Sequence, residues 1–433
     1  MAYWLYNLLI SLFFVVSLPL APFLFLCGRR FREGFLQRLG FYPREICEAV
    51  GSSRPIWIHA VSVGEVKAAS SLVHRLRISY PGRHILVTTI TATGAAITRQ
   101  LFGDKVMHLY LPYDLPHAIS GFLNAIRPEI LIVMETELWP NLYHQADERG
   151  IKIILVNARL SSRSFARYRK VRFFMREVLQ KISVIATQTT DDGRRFEAIG
   201  ADPARITVSG NIKFDVTPVH SIGQEGEAVR AWLSCQRPVW IAASTHEGEE
   251  HLVLDAHKRV LEHKSDCLLI IAPRHPERFK KVQNLVMDNG YNAVSRSMTT
   301  EVSKHIQVLI LDSMGELPVF FAAADIAFVG GSLLPHGGHN VLEPAVAGIP
   351  VLTGRYTDNF REVTGMLEEA HALRRIADGN ELATEVIKLL ASAERRHVMG
   401  QAGKEVVERN RGSVDRVMEL ILAQLPSQAG AIS

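Results

Sequence analysis

Apolar, β-rich runs that alternate with segments of helical length constrain the fold of this chain more than any other feature. In the first half, such runs predict strands at residues 56–60, 85–89, 108–111, 130–134, 153–156 and 184–186. The second half adds predicted strands at residues 239–242, 268–272, 308–311, 326–329 and 350–352. Strands that are apolar throughout are buried on both faces, as in parallel sheets covered by helices. The sequence therefore predicts an α/β protein.

Length and one polar patch indicate how the chain divides into domains. A chain of 433 residues is too long for one typical domain. Residues 217–226 are polar and contain proline and glycine, so they are predicted to form a linker. The linker would join two Rossmann-like domains, residues 29–216 and 227–425, that face each other across a cleft. Glycosyltransferases of the GT-B type have this layout, and ligands of such sheets bind beyond the carboxyl ends of the strands.

The N-terminal segment predicts membrane attachment. Residues 1–28 carry no charged side chain, and five arginines follow between residues 29 and 44. An apolar run of this length is a candidate membrane span, and the arginines behind it favour a cytoplasmic location for the rest of the chain. A cleaved signal peptide is the alternative, but the run lacks a basic n-region. Pro19 and Pro22 leave a kinked or shallow anchor open beside a full span.

Bulk composition excludes several other classes of protein. The chain is 47% hydrophobic and 21% charged, as expected of a folded protein. Its net charge of +5 is modest for the length, so no nucleic-acid partner is expected. The four cysteines lack CxxC spacing, which argues against a zinc ribbon or a disulfide framework and suits a reducing compartment.

Residues 325–348 predict a nucleotide pocket. A strand ends in Gly330-Gly331, a loop holds Gly337 and Gly338, and Asn340 leads into a helix that carries Glu343. Glycines let backbone approach a ligand, and the first amides of a helix can face an anion. Glu343 would accept hydrogen bonds from a ribose diol. The alternative is a glycine-rich turn that caps one more strand–helix unit.

Acidic side chains follow two predicted strands of the first domain. Glu65 lies in the turn SVGE, where it is a candidate general base. The alternative is an acid in the first turn of a helix, which the helix dipole favours. Glu135 and Glu137 lie in METELWPN, and two carboxylates at a strand end are costly unless they are paired or solvated. We expect one of them to be functional and the other structural.

Basic side chains provide candidate contacts for anions. Lys213 lies just before the predicted linker, where it could project into the cleft. Arg274 follows a strand and can clamp a phosphate, although a surface pair with Glu277 is the alternative. Residues 159–172 form a basic run with interleaved aromatics. They are either a solvated face or a contact for an anionic lipid or phosphate.

Two further motifs carry weaker signals. The string HEGEEH resembles a zinc motif, but His246 and His251 are five residues apart and so do not share one helical face. No metal site is predicted there or elsewhere. In DSMGEL, Gly315 would let a base or phosphate approach the backbone, and Glu316 would cap a helix start.

Many short segments resemble, in order, the bacterial Kdo (3-deoxy-D-manno-octulosonic acid) transferases. They are HAVSVGEV, YLPYDLP, METELWPN, NARLS, GNIKFD, STHEGEE, APRHPERF, DSMGEL and FVGGSLLPHGGHNVLEPA. The resemblance also covers the N-terminal apolar segment. It implies a GT-B enzyme that moves Kdo from CMP-Kdo to a tetraacyl disaccharide precursor of lipid A, on the cytoplasmic face of the inner membrane.

The resemblance also implies roles for individual residues. Glu65 would accept the proton of the acceptor hydroxyl, and Glu135 and Lys213 would stabilise the transition state. The implied contacts with CMP are Pro273, Arg274, Met314, Gly315, Glu316, Asn340, Val341, Leu342 and Glu343. An inverting transfer is expected. No metal or other cofactor is expected, because CMP-Kdo carries a single phosphate.

Two other functions stay open on the sequence alone. One is a different GT-B enzyme, such as a nucleotide-sugar epimerase or a hexosaminyltransferase that uses UDP-sugars. The other is a membrane-anchored adaptor that binds a nucleotide or a lipid without catalysis. The number of Kdo units added, the preferred acyl pattern and the oligomeric state do not follow from the sequence.

Overall fold

The computed structural model describes residues 2–17, 33–44, 48, 50, 52–215, 220–299 and 301–425. The chain forms two compact units, one of Met1–Asp215 with Arg411–Ser433 and one of Val216–Asn410. Within the described residues, each unit contains one seven-stranded sheet whose strands all pair in parallel. The α/β prediction is confirmed for both halves of the chain.

The first unit is built on a sheet of order β3-β2-β1-β4-β5-β6-β7. Its strands are β1 (Ile56–His59), β2 (Ile85–Thr89), β3 (Met107–Tyr110), β4 (Ile130–Met134), β5 (Lys152–Ala158), β6 (Val184–Thr187) and β7 (Ile206–Val208). Its α-helices are Ala2–Ser17, Phe35–Arg38, Val63–Ser79, Ala92–Phe102, Pro116–Ile126, Pro140–Glu148, Ser162–Lys170, Arg172–Leu179, Thr190–Ala198 and Ser413–Leu422.

The second unit is built on a sheet of order β10-β11-β9-β8-β12-β13-β14. Its strands are β8 (Val239–Thr245), β9 (Leu268–Pro273), β10 (Ala293–Ser295), β11 (Val308–Ile310), β12 (Ile326–Val329), β13 (Val351–Thr353) and β14 (Leu373–Arg375). Its α-helices are His220–Trp232, Glu249–His263, Phe279–Asp288, Leu317–Ala323, Leu342–Val346, Arg361–Glu369, Gly379–Ala391 and Ala393–Asn410.

Alternate side chains of β1 enter two different cores. Trp57 is buried against Phe122 of one helical layer, with ring centroids 4.9 Å apart. Ile56 and Ile58 are buried on the other face of the sheet, in the same cluster as Leu72. Burial of an aliphatic side chain of this size contributes about 1.5–3 kcal/mol. Covering both faces therefore explains why these strands are apolar throughout.

Each sheet has a point at which the strand order reverses. In the first unit the chain moves outward from β1 to one edge and returns through β4, so the reversal lies between β1 and β4. In the second unit it lies between β8 and β12. Ligands of doubly wound sheets bind beyond the carboxyl ends of the strands at this point. A ligand site is therefore expected in the loops after these four strands.

The C-terminal boundary of the second domain needs correction. The sequence assigned residues up to 425 to that domain, but the helix Ser413–Leu422 belongs to the first unit. Its Val417 and Ile421 are buried in the same cluster as Leu72. The carboxylate of Asp215 accepts hydrogen bonds from the backbone amides of Gly412 (2.7 Å) and Val414. These contacts, rather than sequence order, decide the assignment.

The predicted linker is partly helical. Residues 216–219 lie outside the described residues, whereas residues 220–226 form the first half of the helix His220–Trp232. The sequence predicts a loop at Gly226, but this glycine lies where two helices pack closely. A Cβ atom at Gly226 would lie 2.6 Å from the Cβ of Ala322. The glycine is therefore required by the neighbouring helix rather than by a turn.

The predicted anchor begins with the helix Ala2–Ser17, and its remainder, residues 18–28, lies outside the described residues. One side of the helix packs on the first unit. The Tyr3 ring lies 4.8 Å from that of His144, and Phe14 lies 5.7 Å from Tyr113. Among the described residues, no helix has both the length and the apolar character required to cross a membrane.

Candidate active site

Glu65 lies at the start of the helix that follows β1. Its Oε1 accepts a hydrogen bond from the Ser62 hydroxyl (2.8 Å), and its Oε2 accepts one from the Val61 amide (2.9 Å). The Ser62 hydroxyl in turn accepts from the Glu65 amide and so caps the start of the helix. Glu65 is thus an acid of the first helical turn and also a buried side chain, only 7% exposed.

Glu135 and Lys213 form an ion pair at the carboxyl end of β4. The Nζ of Lys213 lies 3.0 Å from Oε1 of Glu135. The backbone of Glu135 is left-handed, with φ of 55°, and its amide donates to the carbonyl of Val156 in β5. A positive φ is uncommon for a residue other than glycine and marks a position that its surroundings impose.

Buried amide side chains hold the turn that carries Lys213. Oδ1 of Asn157 accepts from the Ile212 amide (3.1 Å), and Oδ1 of Asn211 accepts from the Lys213 amide (3.0 Å). Gln188 joins these two groups, since it donates to the Asn157 carbonyl and accepts from the Asn211 side chain. The sequence offered NARLS and GNIKFD as separate segments, and the structure joins them in one network.

Glu137 is the second carboxylate of METELWPN. Its Oε2 accepts from the Trp139 indole (3.1 Å), and its backbone carbonyl accepts from the Tyr143 hydroxyl. The pKa of Glu137 is raised to about 7, chiefly by burial and also by the nearby charge of Glu135, while the hydrogen bond from Trp139 opposes this shift. Glu135 is therefore the acid paired with a cation, while Glu137 is held by aromatic side chains.

The three carboxylates share one electrostatic environment. Burial raises the pKa of Glu65 to about 8, the Val61 amide opposes this effect, and the charges of Glu135 and Glu137 add to it. A carboxyl group with such a pKa is a stronger base than an exposed glutamate and loses its proton around pH 8.

In the second unit, Arg274, Asn340 and Glu343 form a second group. Glu343 accepts from the Asn340 side chain at 3.0 Å. Burial raises the pKa of Glu343, whereas that hydrogen bond and the positive charge of Arg274 lower it. Oδ1 of Asn340 accepts from the Leu342 amide at 3.1 Å. One amide of the short helix is thus already occupied by a protein side chain, contrary to a fully open helix start.

The loop DSMGEL follows β11. Gly315 has φ of 88°, and Met314 is 69% exposed. Glu316 occupies the N-cap position of the helix Leu317–Ala323 as predicted, but its side chain does not cap. That side chain instead accepts from Arg296 at 3.0 Å and from the Ser313 hydroxyl.

Glu249 is a buried residue of this unit that sequence reasoning missed. Its carboxylate accepts from the amides of His246 (3.0 Å), Gly331 (2.6 Å), Ser332 (2.9 Å) and Leu333 (2.9 Å). It thereby ties the loop after β12 to the end of β8. The string HEGEEH contained this glutamate, but its role depends on residues more than 80 positions away.

The predicted residues follow strand ends in both units. Glu65, Glu135 and Lys213 lie at the carboxyl edge of the first sheet, where the strand order reverses. The predicted CMP contacts follow three strands of the second sheet: Pro273 and Arg274 at the end of β9, Met314, Gly315 and Glu316 after β11, and Asn340, Val341, Leu342 and Glu343 after β12. Val341 and Leu342 are buried, and the Leu342 amide already donates to Asn340 Oδ1.

Comparison with known proteins identifies the family. A family described as 3-deoxy-D-manno-octulosonic-acid transferase matches residues 33–216, and glycosyl transferases group 1 match residues 240–406. The 3-deoxy-D-manno-octulosonic acid transferase of Haemophilus influenzae is 42% identical over 90% of this chain and 91% of its own. The chain belongs to the Kdo transferase family. It is therefore a glycosyltransferase that transfers Kdo in lipopolysaccharide biosynthesis.

Other relatives agree with this assignment. The Kdo transferase of Bordetella pertussis is 35% identical over 85% of this chain and 86% of its own. The solved structure of UDP-GlcNAc 2-epimerase from Neisseria meningitidis superposes with a TM-score of 0.54 at 14% identity, over 85% of this chain and all of that one. That likeness concerns the fold alone. The two domains of this Kdo transferase are thus of the GT-B type.

Proposed function

We propose that this Kdo transferase uses CMP-Kdo as its donor and a tetraacyl disaccharide precursor of lipid A as its acceptor, with inversion at the anomeric carbon. The observation that carries the proposal is the group of Glu65, Glu135 and Lys213 at the reversal point of the first sheet. This group contains a basic carboxylate, a second carboxylate and a cation. A single displacement of an anionic nucleotide by a sugar hydroxyl can use all three.

Glu65 is proposed as the general base. The acceptor hydroxyl forms a bond to the anomeric carbon, the bond from that carbon to the phosphate oxygen breaks, and CMP leaves with the electron pair. The hydroxyl proton passes to Glu65, whose pKa of about 8 suits proton transfer near neutral pH. The hydrogen bonds from Val61 and Ser62 fix the orientation of this carboxylate.

Glu135 and Lys213 are proposed to stabilise the transition state. Glycosyl transfer develops positive charge on the sugar ring, which a fixed carboxylate stabilises. Lys213 balances the charge of Glu135 and offers a cation to the anionic groups of the donor. The network of Asn157, Gln188 and Asn211 supports this role, because it holds the lysine turn before substrate binds.

The second unit is proposed to bind CMP. Arg274 would pair with the phosphate. Glu343 would accept hydrogen bonds from the ribose hydroxyls, while its Oε1 also accepts one from the Asn340 side chain. The loop of Met314, Gly315 and Glu316 would contact the base. A metal is not needed in this scheme, since the donor has one phosphate and the site supplies a guanidinium group.

We further propose that the N-terminal segment attaches the enzyme to the cytoplasmic face of the inner membrane. Contacts along the helix, from Tyr3 to Phe14, keep it on the surface of the first unit. Its outer face is apolar and exposed, with Trp4 at 68% and Phe13 at 73%. A helix that packs one side on the protein and exposes an apolar face suits a shallow position in the interface better than a full span. Binding to anionic vesicles should weaken in a Trp4→Ser, Phe13→Ser variant, and unchanged binding would contradict the shallow anchor.

A transfer assay tests the central proposal. The purified enzyme, radiolabelled CMP-Kdo and the lipid A precursor should give labelled lipid, and Glu65→Gln should lower turnover by about 10²-fold or more while CMP still binds. Glu381 offers a matched control, because it also accepts a backbone amide at a helix start, from Ala377. Glu381→Gln should keep full turnover. Turnover at the wild-type level in Glu65→Gln would remove Glu65 from the mechanism.

The same assay separates the alternatives. If UDP rather than CMP protects the protein against thermal unfolding, the donor assignment fails in favour of a UDP-sugar. If CMP binds but no label reaches the lipid precursor, the acceptor assignment fails.

A further inference from the structure

Four histidines meet at the reversal point of the second sheet. His246 follows β8, His275 follows β9, and His336 and His339 lie in the loop after β12. The ring of His246 stacks on that of His336, with centroids 4.4 Å apart and planes 17° apart. The ring of His275 contacts the His246 ring edge-on, with centroids 5.4 Å apart.

His246 and His339 form a hydrogen-bonded pair. Their Nε2 atoms are 2.8 Å apart, and their ring planes differ by 6°. One Nε2 must donate its proton and the other must accept it. The pair can therefore be neutral or carry one extra proton, whereas a second extra proton would break the hydrogen bond. Such coupled groups titrate as a unit.

The surrounding backbone holds this pair in place. Glu249 binds the amides of His246 and Gly331, and so fixes the two segments that carry the histidines. The ring of His339 lies directly over Gly331, where a Cβ atom would come within 2.8 Å of His339 Cδ2. Any larger residue at that position would displace the ring. The arrangement is therefore built into the loop.

Several charged groups act on His246. Burial lowers its pKa, His336, His275 and Arg278 lower it further, and Glu249 opposes them. The Arg274 amide donates to the Thr245 carbonyl beside it, so the predicted phosphate-binding arginine starts from the same strand end. Without a ligand, these effects together disfavour a proton on His246. An anion placed against it would favour the protonated form.

The geometry does not suit a metal ion. Stacked rings present their faces to each other, so their nitrogen lone pairs do not converge on one point. In the part of the chain that the structure describes, no group of three or more His, Cys, Asp or Glu side chains is arranged to hold a metal. A proton is the cation that this arrangement can take up.

We propose that the His246–His339 pair takes up one proton when an oxyanion of the donor, either its phosphate or the carboxylate of its sugar, binds against it. This inference rests on the proposed use of CMP-Kdo. The proton comes from solvent on binding and returns to solvent when the nucleotide leaves. The pair thereby adds positive charge to the site only while the donor occupies it.

Calorimetric titration at pH 7 in two buffers of different ionisation enthalpy tests the proposal. The wild type should take up more protons on binding CMP-Kdo than His246→Gln or His339→Gln, by up to about one. His251→Gln is the matched control, because His251 lies in the same HEGEEH string but in an exposed position on the following helix. It should behave as the wild type.

The ligand series distinguishes the two oxyanions. Cytidine should give no difference in proton uptake between the wild type and the variants. A difference that appears already with CMP assigns the phosphate, and one that appears only with CMP-Kdo assigns the sugar carboxylate. Equal uptake in the wild type and variants with both nucleotides overturns the proposal. If CMP-Kdo fails to bind the wild type, the proposed donor fails as well.

A measurement on the unmodified enzyme avoids dependence on variants that do not fold. The Kd for CMP-Kdo should rise between pH 6 and pH 8, by up to about tenfold per pH unit where the free pair is neutral. A Kd that is constant over this range would also overturn the proposal.

Discussion

Lys213 Nζ and Glu135 Oε1 lie 3.0 Å apart although 78 residues separate them in the chain. Glu135 follows β4, and Lys213 lies in a 3-10 turn after β7, so the fold of the sheet brings them together. About a fifth of each side chain is exposed. The pair is therefore shielded enough to hold its geometry and open enough to meet a ligand.

Loss of Lys213 should affect catalysis more than stability. Lys213→Ala should lower kcat by about 10²-fold, because Glu135 loses its partner and the transition state loses a cation. The free energy of unfolding should fall by only about 1 kcal/mol, as for other partly exposed pairs. Steady-state kinetics and urea unfolding measure the two effects.

The first unit supplies a control for Lys213. Lys181 pairs with Asp147 at 2.8 Å, far from the reversal point of the sheet. Lys181→Ala should cost about as much stability and leave kcat unchanged. A similar loss of kcat in both variants would mean that the ion pair supports the fold alone.

The pH dependence of turnover should follow Glu65. A base must be deprotonated to act, so kcat/KM should increase from pH 6 and level off above pH 8, near the pKa of this carboxyl. Glu65→Gln should remove this limb of the profile, while Glu381→Gln should retain it. A flat wild-type profile would show that another group accepts the proton.

The same carboxyl should make stability depend on pH. Its pKa is about 8 in the folded protein against an ordinary value of 4.5, so between these values the unfolded chain holds fewer protons. The contribution of Glu65 to stability is therefore complete below pH 4.5 and is lost as the pH rises to 8. Glu65→Gln should reduce the loss of stability between pH 5 and pH 8 in urea unfolding. An identical loss in both proteins would contradict the raised pKa.

Sequence periodicity predicted the central strands well but missed three of the four edge strands. Residues 85–89, 130–134 and 326–329 were predicted with the observed bounds, because these strands are buried on both faces. The strands β7, β10 and β14 were missed. Each is three residues long and lies at the edge of its sheet, where half-exposed side chains give no continuous apolar run.

The local part of the site could also be predicted, but its long-range contacts could not. The spacing S-x-x-E is enough to predict the hydrogen bonds between Ser62 and Glu65 at the helix start. The partners of Lys213 and His246 depend on which strand ends become neighbours, which a single sequence does not specify. A positive φ at Glu135 has no sequence signal either, since glycine and asparagine are the residues that normally indicate it.

Asn157 should position Lys213 without touching substrate. Its backbone has φ of 56°, which asparagine and glycine tolerate better than alanine. Asn157→Gly and Asn157→Ala both remove the hydrogen bond to the Ile212 amide, so both should lower kcat by about tenfold. Only the alanine variant should lose a further ~1 kcal/mol of stability from backbone strain. Equal kcat in the wild type and the glycine variant would dismiss the positioning role.

The basic helix Ser162–Lys170 should contribute to acceptor binding. Arg163 and Arg167 are exposed, and charge reversal of both to glutamate should raise the KM for the anionic acceptor and leave that for CMP-Kdo unchanged. Arg194→Glu is the control, because Arg194 is equally exposed on another helix of the first unit and pairs with Asp191. An unchanged acceptor KM in the double variant would identify the run as a solvated face.

Glu343 should make the enzyme select ribose over deoxyribose. Its Oε1 accepts a hydrogen bond from Asn340, and its half-buried carboxylate can accept further hydrogen bonds from a ribose diol. Wild-type enzyme should therefore bind CMP at least about tenfold more tightly than dCMP. Glu343→Gln should weaken CMP binding and reduce this preference, whereas Glu316→Gln should weaken both nucleotides alike. Equal affinity of the wild type for CMP and dCMP would move the ribose away from Glu343.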